Sequence, residues 1–316
     1  MESSIALVTG ATSGLGYAAA CALARAGWRE IIVTGRNLAR AQEAVAKLTA
    51  ETKTQVFTPL QLDLDTPASV QSALTEVVDR IQRIDLLLLN AGWIGGSKRV
   101  LTAAGIEVTQ APLVGHHQLA VGLLRANLLS PNARIIIAGS EAARGDVPMF
   151  SYTDVMALAT KQYKGDRSAA VEAVLRGRTL KYKPNRAHAD VKLFVAWWAA
   201  AMSRRLPHGM AVYAVSPGST PDTKGLRNAG PALKWLMLPL VKVIPSMSQT
   251  PETAVRRYLQ ASEFGADVSG QFFASAPGKV TGPLVAMRQP HFHDRANQEA
   301  TWQALVRISG ADLPNS

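Results

Sequence analysis

The chain has a single cysteine, Cys21, in 316 residues, which excludes an internal disulfide framework. Long hydrophobic runs are missing as well. Hydrophobic residues make up 47% of the sequence, yet no uninterrupted apolar stretch reaches the roughly 18 residues of a membrane span. The nearest case, "LKWLMLPLVKVI", is broken by Lys234, Pro239 and Lys242, so membrane contact is not expected. Only four residues precede the first apolar run, "IALV", too few for a signal peptide. Together with the lone thiol, this predicts a soluble, cytoplasmic protein. Internal repeats and low-complexity tracts are absent. The net charge is +11, from 34 Lys and Arg against 23 Asp and Glu. No basic run alternates with aromatics, so no nucleic-acid partner is expected. The excess reads instead as a solvated surface biased towards anionic small molecules.

What is present is a regular alternation. "IALV" reads as a short buried strand, and "GLGYAAACALARAG" repeats apolar residues at helical spacing until Gly27. "EIIVTG" is then a second strand, "NLARAQEAVAKLTAE" a second helix, "QVFTPLQLD" a third strand and "PASVQSALTEVVDRI" a third helix. "DLLLLNAG" reads as a fourth strand apolar on both faces, as in a buried parallel sheet. A helical region over about Gly115 to Leu129 leads to a fifth strand, "ARIIIAGS", and "MAVYAVSPG" supplies a sixth. This order predicts an α/β fold, a doubly wound parallel sheet of the Rossmann type, in one domain spanning 1–316.

Two regions break the alternation. Residues 144–187 form a basic insertion with nine Lys or Arg and four Asp or Glu, net +5, read as a flap over the site. Residues 216–251 form a Pro-rich, apolar stretch read as a substrate-binding lid. Near the end, "RANQEATWQALVRIS" reads as a closing helix.

"TGATSGLG", Thr9 to Gly16, directly follows the first strand and opens the first helix. A dinucleotide needs a tight turn there, a close backbone approach to the pyrophosphate, and a helix N-terminus whose unpaired N–H groups face negative charge. The candidate contacts are Gly10, Ser13, Gly14, Leu15 and Gly16. At the end of the second strand, where NAD binding places an Asp or Glu for the ribose 2′-hydroxyl, stand Gly35 and Arg36. A guanidinium pairs bidentately with a 2′-phosphate that a carboxylate would repel, so the cofactor read from these residues is NADP(H). Arg40, one helical turn later, is placed to assist.

The glycine turn is joined in order by "LDLD", "NAG", "ARIIIAGS" and "SPG". Together these resemble the short-chain dehydrogenase/reductase family over nearly the whole chain. The tail from "SGQFF" to "TWQALVRISG" is most similar to the branch of retinol dehydrogenases and protochlorophyllide reductases. The resemblance implies that Asp63 approaches the adenine ring and that Asn90 to Gly92 close the fourth strand beside the cofactor. It also implies that Ser140 is the catalytic serine, and that Pro217, Gly218 and Thr220 belong to the turn beside the nicotinamide. In this family a tyrosine gives a proton to the carbonyl oxygen and a serine polarises it. A lysine binds the nicotinamide ribose and lowers the tyrosine pKa, and an asparagine holds a relay water.

Ser140 and Lys192 are present, but the other two positions depart. In "AHADVK" the register from Lys192 puts His188 at the tyrosine position, and "APLVGHHQLA" puts Pro112 at the asparagine. Proline has neither an N–H nor a side-chain amide, which breaks the usual relay. Tyr152, Tyr163 and Tyr182 lack a lysine four residues on. Imidazolium is a competent acid, with a reference pKa of about 6.5, while a cationic Lys192 one turn away disfavours it. Slow chemistry at pH 7 that quickens as the pH falls towards the histidine pKa is the expectation. The pairs His116 with His117 and His291 with His293 have no third metal ligand at convincing spacing and read as surface positions. Trp197 and Trp198 read as packing or a subunit contact, which leaves a homo-oligomer open.

The sequence therefore predicts an NADP(H)-dependent oxidoreductase reducing a hydrophobic small-molecule ketone or aldehyde, with Ser140, His188 and Lys192 as catalytic residues and no metal. Two alternatives stand beside it: a non-redox cyclase or isomerase on the same scaffold, and an NADP(H)-sensing binding protein.

Overall fold

The predicted alternation becomes strands β1 (Ile5–Val8), β2 (Glu30–Gly35), β3 (Phe57–Gln61), β4 (Ile84–Leu89), β5 (Leu129–Ala138) and β6 (Ala211–Val215). Two short strands, β7 (Phe272–Ala274) and β8 (Val285–Ala286), lengthen one edge. These come from a computed structural model that describes residues 4–178, 181–220 and 248–313. The strand order is β3-β2-β1-β4-β5-β6-β7-β8, parallel except for β7 with β8. The chain order reverses direction between β1 and β4, so the loops leaving those two strands open a crevice at their C-terminal ends.

The helices are α1 (Gly14–Arg25), α2 (Leu38–Thr52), α3 (Pro67–Arg80), α4 (Ala111–Arg125), α5 (Val155–Gln162), α6 (Arg167–Leu175), α7 (Pro184–Ser203), α8 (Pro251–Ser262) and α9 (Arg295–Ser309). One face of the sheet is covered through Leu74 of α3, Leu119 of α4, Phe194 of α7 and Trp302 of α9. The other is covered through Leu23 of α1, Leu48 of α2 and Tyr258 of α8. This is the three-layer arrangement of a doubly wound sheet. Helix α4 begins four residues before the expected Gly115. Pro112 lies in its first turn, where a missing N–H breaks no intrahelical bond.

The insertion corrects an expectation. Asp154 and Asp166 cap α5 and α6 by accepting from Ala157 N and Ala169 N, each at 2.9 Å. Val171, Val174 and Leu175 of α6 are buried in the main core. Arg167 reaches both carboxylate oxygens of Asp294 and Oδ1 of Asn297, each at 3.1 Å, tying α6 to the start of α9. The centre of the insertion is therefore structural packing and not a removable flap. Of the expected lid over 216–251, residues 221–247 lie outside the described residues. Trp197 and Trp198 are fully buried, so their role is packing. No described helix is long and apolar enough to cross a membrane.

Candidate functional site

At the end of β1, Thr9 is fully buried and stitches the glycine turn to β4. Its Oγ1 accepts from Ala91 N at 3.0 Å and lies 2.9 Å from His116 Nε2, while Asn90 Nδ2 donates to Thr9 O at 3.1 Å. Gly10 and Gly14 have φ of 66° and 59°, a left-handed backbone that other residues adopt only under strain. At Gly16 a Cβ would stand 2.4 Å from Gly10 O, so only glycine lets α1 come this close to the turn. Ser13 caps α1 in an extended conformation without a side-chain bond, and no acidic residue lies in the first turn. The helix start thus offers unpaired N–H groups to an anion. Leu15 packs against the core behind it.

Arg36 is exposed at the end of β2 with no carboxylate beside it in sequence. Asp63, read as an adenine contact, is engaged in its own turn, where its carboxylate accepts from Asp65 N at 3.2 Å and Thr66 Oγ1 at 3.4 Å. The sequence reading passed over Asp65. Its Oδ1 is buried without a hydrogen-bond partner, and burial, then the Asp63 charge, raise its pKa to about 6 against the pull of Arg36. The uncapped helix start and the exposed guanidinium suit a phosphorylated dinucleotide.

At the other end of the cleft, His188 and Lys192 are four residues apart on α7 and so share one face. Lys192 Nζ donates to Ala138 O of β5 at 2.6 Å, and a Cβ on Gly92 would lie 4.0 Å from Nζ. Ser140 stands two residues beyond Ala138, where its Oγ accepts from Ala142 N at 3.2 Å and caps a 3-10 turn over Glu141–Arg144. Asn90, Ser140 and Lys192 are thus gathered at the C-terminal ends of β4 and β5. In the turn after β6, Gly218 has φ 81° and its N–H donates to Ser216 Oγ at 3.1 Å, while Pro217 O accepts from Gln249 Nε2. Thr220 is partly buried at the end of this described segment.

His188 corrects the pH expectation. Burial, and then the nearby Lys192 charge, push its pKa down to about 3, so imidazolium does not form between pH 5 and 8. Its Nδ1 is buried with no partner, and the Phe150 ring meets it edge-on at 5.8 Å. Lys192 is lowered to about 8 by burial alone and stays largely cationic at neutral pH. Of the tyrosines weighed as substitutes, Tyr152 lies tilted beside His291 at 5.2 Å, Tyr163 packs on the core, and Tyr182 lies under Arg99 at 5.6 Å.

His116 and His117 are buried and not at the surface. Trp198 Nε1 donates to His117 Nδ1 at 2.9 Å, which leaves Nε2–H to donate to Ala311 O at 2.8 Å. His291 and His293 instead meet the carbonyls of Ala143 and Met287, each at 3.2 Å. Among the described residues no group of three His, Cys, Asp or Glu is placed to hold a metal.

The sequence reading also missed a buried ion pair behind the site. Glu141 Oε1 accepts from Arg257 Nη1 at 3.4 Å and from Ser275 Oγ at 2.9 Å, and its Oε2 accepts from Ser216 Oγ at 2.5 Å. Arg257 also donates to Ser216 O at 2.9 Å and Ser275 Oγ at 2.8 Å. The pair joins the turns after β5, β6 and β7. No local pattern announces a contact between residues this far apart in sequence.

The family described as short chain dehydrogenase matches residues 4–153. Human retinol dehydrogenase 13 is 26% identical over 314 residues, covering 98% of this chain and 85% of that protein. The oxidoreductase fscI of Fusarium equiseti is 31% identical over 223 residues, covering 67% of this chain and 85% of its own. The chain belongs to the short-chain dehydrogenase family of oxidoreductases. Among solved structures, a putative uncharacterized protein from Mycobacterium Paratuberculosis superposes with a TM-score of 0.70 at 20% identity, over 98% of this chain and 95% of that one. A short chain dehydrogenase from Burkholderia cenocepacia J2315 in complex with NADP gives 0.57 at 23% identity, over 85% and 94%. Both likenesses concern the fold.

Proposed function

We propose that the protein is an NADP(H)-dependent oxidoreductase that reduces a hydrophobic ketone or aldehyde, with its proton-transfer step altered by His188. The observation that carries this reading is the joint placement of Lys192, gripping β5 two residues before Ser140, and Arg36, a guanidinium in place of a carboxylate at the end of β2. The NADP held by the Burkholderia relative supports the same cofactor. When bound, NADPH supplies hydride to the carbonyl carbon. Ser140 accepts from Ala142 N, which leaves its own O–H to donate to the carbonyl oxygen. Lys192 holds the ribose as a cation. His188, neutral, passes a proton from its ring N–H to that oxygen and is reloaded by water, a poorer route than a phenol beside a lysine. The Phe150 ring against His188 supports an apolar substrate. A cytoplasmic location belongs to the same reading, supported by the lone, buried thiol.

A second reading has its own support. The unpaired His188 Nδ1 and Pro112 at the relay position favour a cofactor-binding protein that transfers no hydride, either a non-redox catalyst or an NADP(H) sensor. The deciding experiment is NADPH oxidation with a panel of hydrophobic ketones by the protein and by His188→Tyr. On the first reading the tyrosine variant turns over at least about tenfold faster, and the parent rate stays flat from pH 7 to pH 5, falling towards pH 8 as Lys192 loses its charge. A variant no faster than its parent, with NADPH binding and fold intact, moves the second reading ahead.

A further inference from the structure

The strand order sets β1 between β2 and β4, so the segments leaving β2 and β4 flank the glycine turn from either side. Arg36 follows β2, and Trp93 comes directly after Asn90 to Gly92 beyond β4. The two side chains meet: the guanidinium carbon of Arg36 lies 4.7 Å from the centre of the Trp93 ring. Arg36 is otherwise an exposed, long side chain, and Trp93 is partly buried. A guanidinium has two chemically distinct surfaces. Its face stacks on an aromatic ring, and its edge carries the N–H fork that pairs with phosphate. One group can therefore occupy the face while the other occupies the edge.

We propose that Trp93 is a positioning residue for cofactor choice: its ring holds the face of Arg36 so that the guanidinium edge is preset for a 2′-phosphate. This rests on the NADP(H) reading above. An arginine left free in solvent must lose its rotamer freedom when the phosphate arrives, whereas one already stacked has less to lose. The benefit falls only on a ligand that uses the Arg36 edge. NADH has a hydroxyl in place of that phosphate and gains nothing from a preset fork, so the effect is on preference and not on dinucleotide affinity in general.

Titration calorimetry of NADPH and NADH against the parent protein, Trp93→Leu and Trp93→Phe tests this. Trp93→Leu is expected to weaken NADPH binding about threefold to fivefold, the upper part of the range for an exposed cation–π contact. NADH affinity should stay within about twofold, which also reports that the site is still folded. Trp93→Phe keeps a ring face and should retain most of the NADPH affinity. The pair 2′,5′-ADP and 5′-AMP should repeat the pattern without the nicotinamide. If Trp93→Leu shifts both cofactors by the same factor in either direction, the ring merely fills or obstructs the cleft and the proposal is wrong. An unchanged NADPH-to-NADH ratio in a parent that prefers NADPH overturns this inference alone. A parent that binds the two equally overturns the cofactor reading and the inference together.

Discussion

The two ends of the cleft differ in how closely residue type and geometry agree. At the cofactor end, Gly10, Gly14 and Gly16 have the backbone or the close approach that only glycine gives, and Asn90 and Thr9 lock the turn to β4. At the chemical end Lys192 and Ser140 meet at the end of β5, but the residue one turn before Lys192 is His188, its pKa pushed down by burial, and Pro112 stands in the first turn of α4. On the proposed reading, binding and proton transfer are carried by separate residues. One can be altered while the other is kept, because the fold sets the strand ends whatever stands on α7.

The largest effect expected tests whether the chemical end has a structural frame of its own. Glu141→Ala leaves the Arg257 guanidinium buried without its carboxylate, with both side chains under 10% exposed. A loss of ~3–5 kcal/mol in urea unfolding is expected, and a loss under about 1 kcal/mol would show that the pair does not hold the turns. Next comes Arg36→Asp, which replaces phosphate pairing by repulsion. NADPH affinity should fall by about 100-fold and its advantage over NADH should disappear, while the unfolding midpoint stays put because Arg36 is exposed.

Acid should weaken the fold by a smaller amount. His116 and His117 are held neutral by burial, at about 3 and about 4 against 6.5 for a free imidazole. Between those values only the unfolded chain takes up the protons, so their contribution to stability is full above about pH 6.5 and is lost progressively as the pH falls. Urea midpoints at pH 7, 6 and 5 should decline in that order, against the opposing gain from Asp65 and Asp190, which burial raises to about 6 and about 7, and imidazole NMR signals of either histidine titrating above pH 5 would contradict the neutral histidines. The smallest effect is expected from Pro112→Asn. Restoring the amide should change turnover less than about twofold with His188 in place, and should add to turnover only together with His188→Tyr.

Much of this was legible in the sequence, for physical reasons. The six predicted strands and the limits of α9 follow from period and length, since a strand apolar on both faces such as β4 has few other folds open to it. The glycine turn was legible because its residues are adjacent. The start of α4 lies four residues before the expected one, with Pro112 in a first turn that suits proline. The burial of His116 and His117 was missed because a polar residue shows no sign of its partners, here Thr9 and Trp198, which lie 107 and 81 residues away. Arg257 with Glu141 and Arg36 with Trp93 are hidden for the same reason. The described strands β7 and β8 have three and two residues, too few for a period to appear.

The bond from His117 to Ala311 spans 194 residues, and α9 buries Trp302 against His117 of α4, ring centres 4.9 Å apart. During synthesis this part of the core stays open until residue 311 has left the ribosome. Until then Trp198 and the apolar side of α6 have nothing from α9 to bury them. An emerging chain therefore keeps this part of its core open until α9 has been made. A chain clipped before α9 would be a client for chaperones or proteases, whatever the state of its glycine turn.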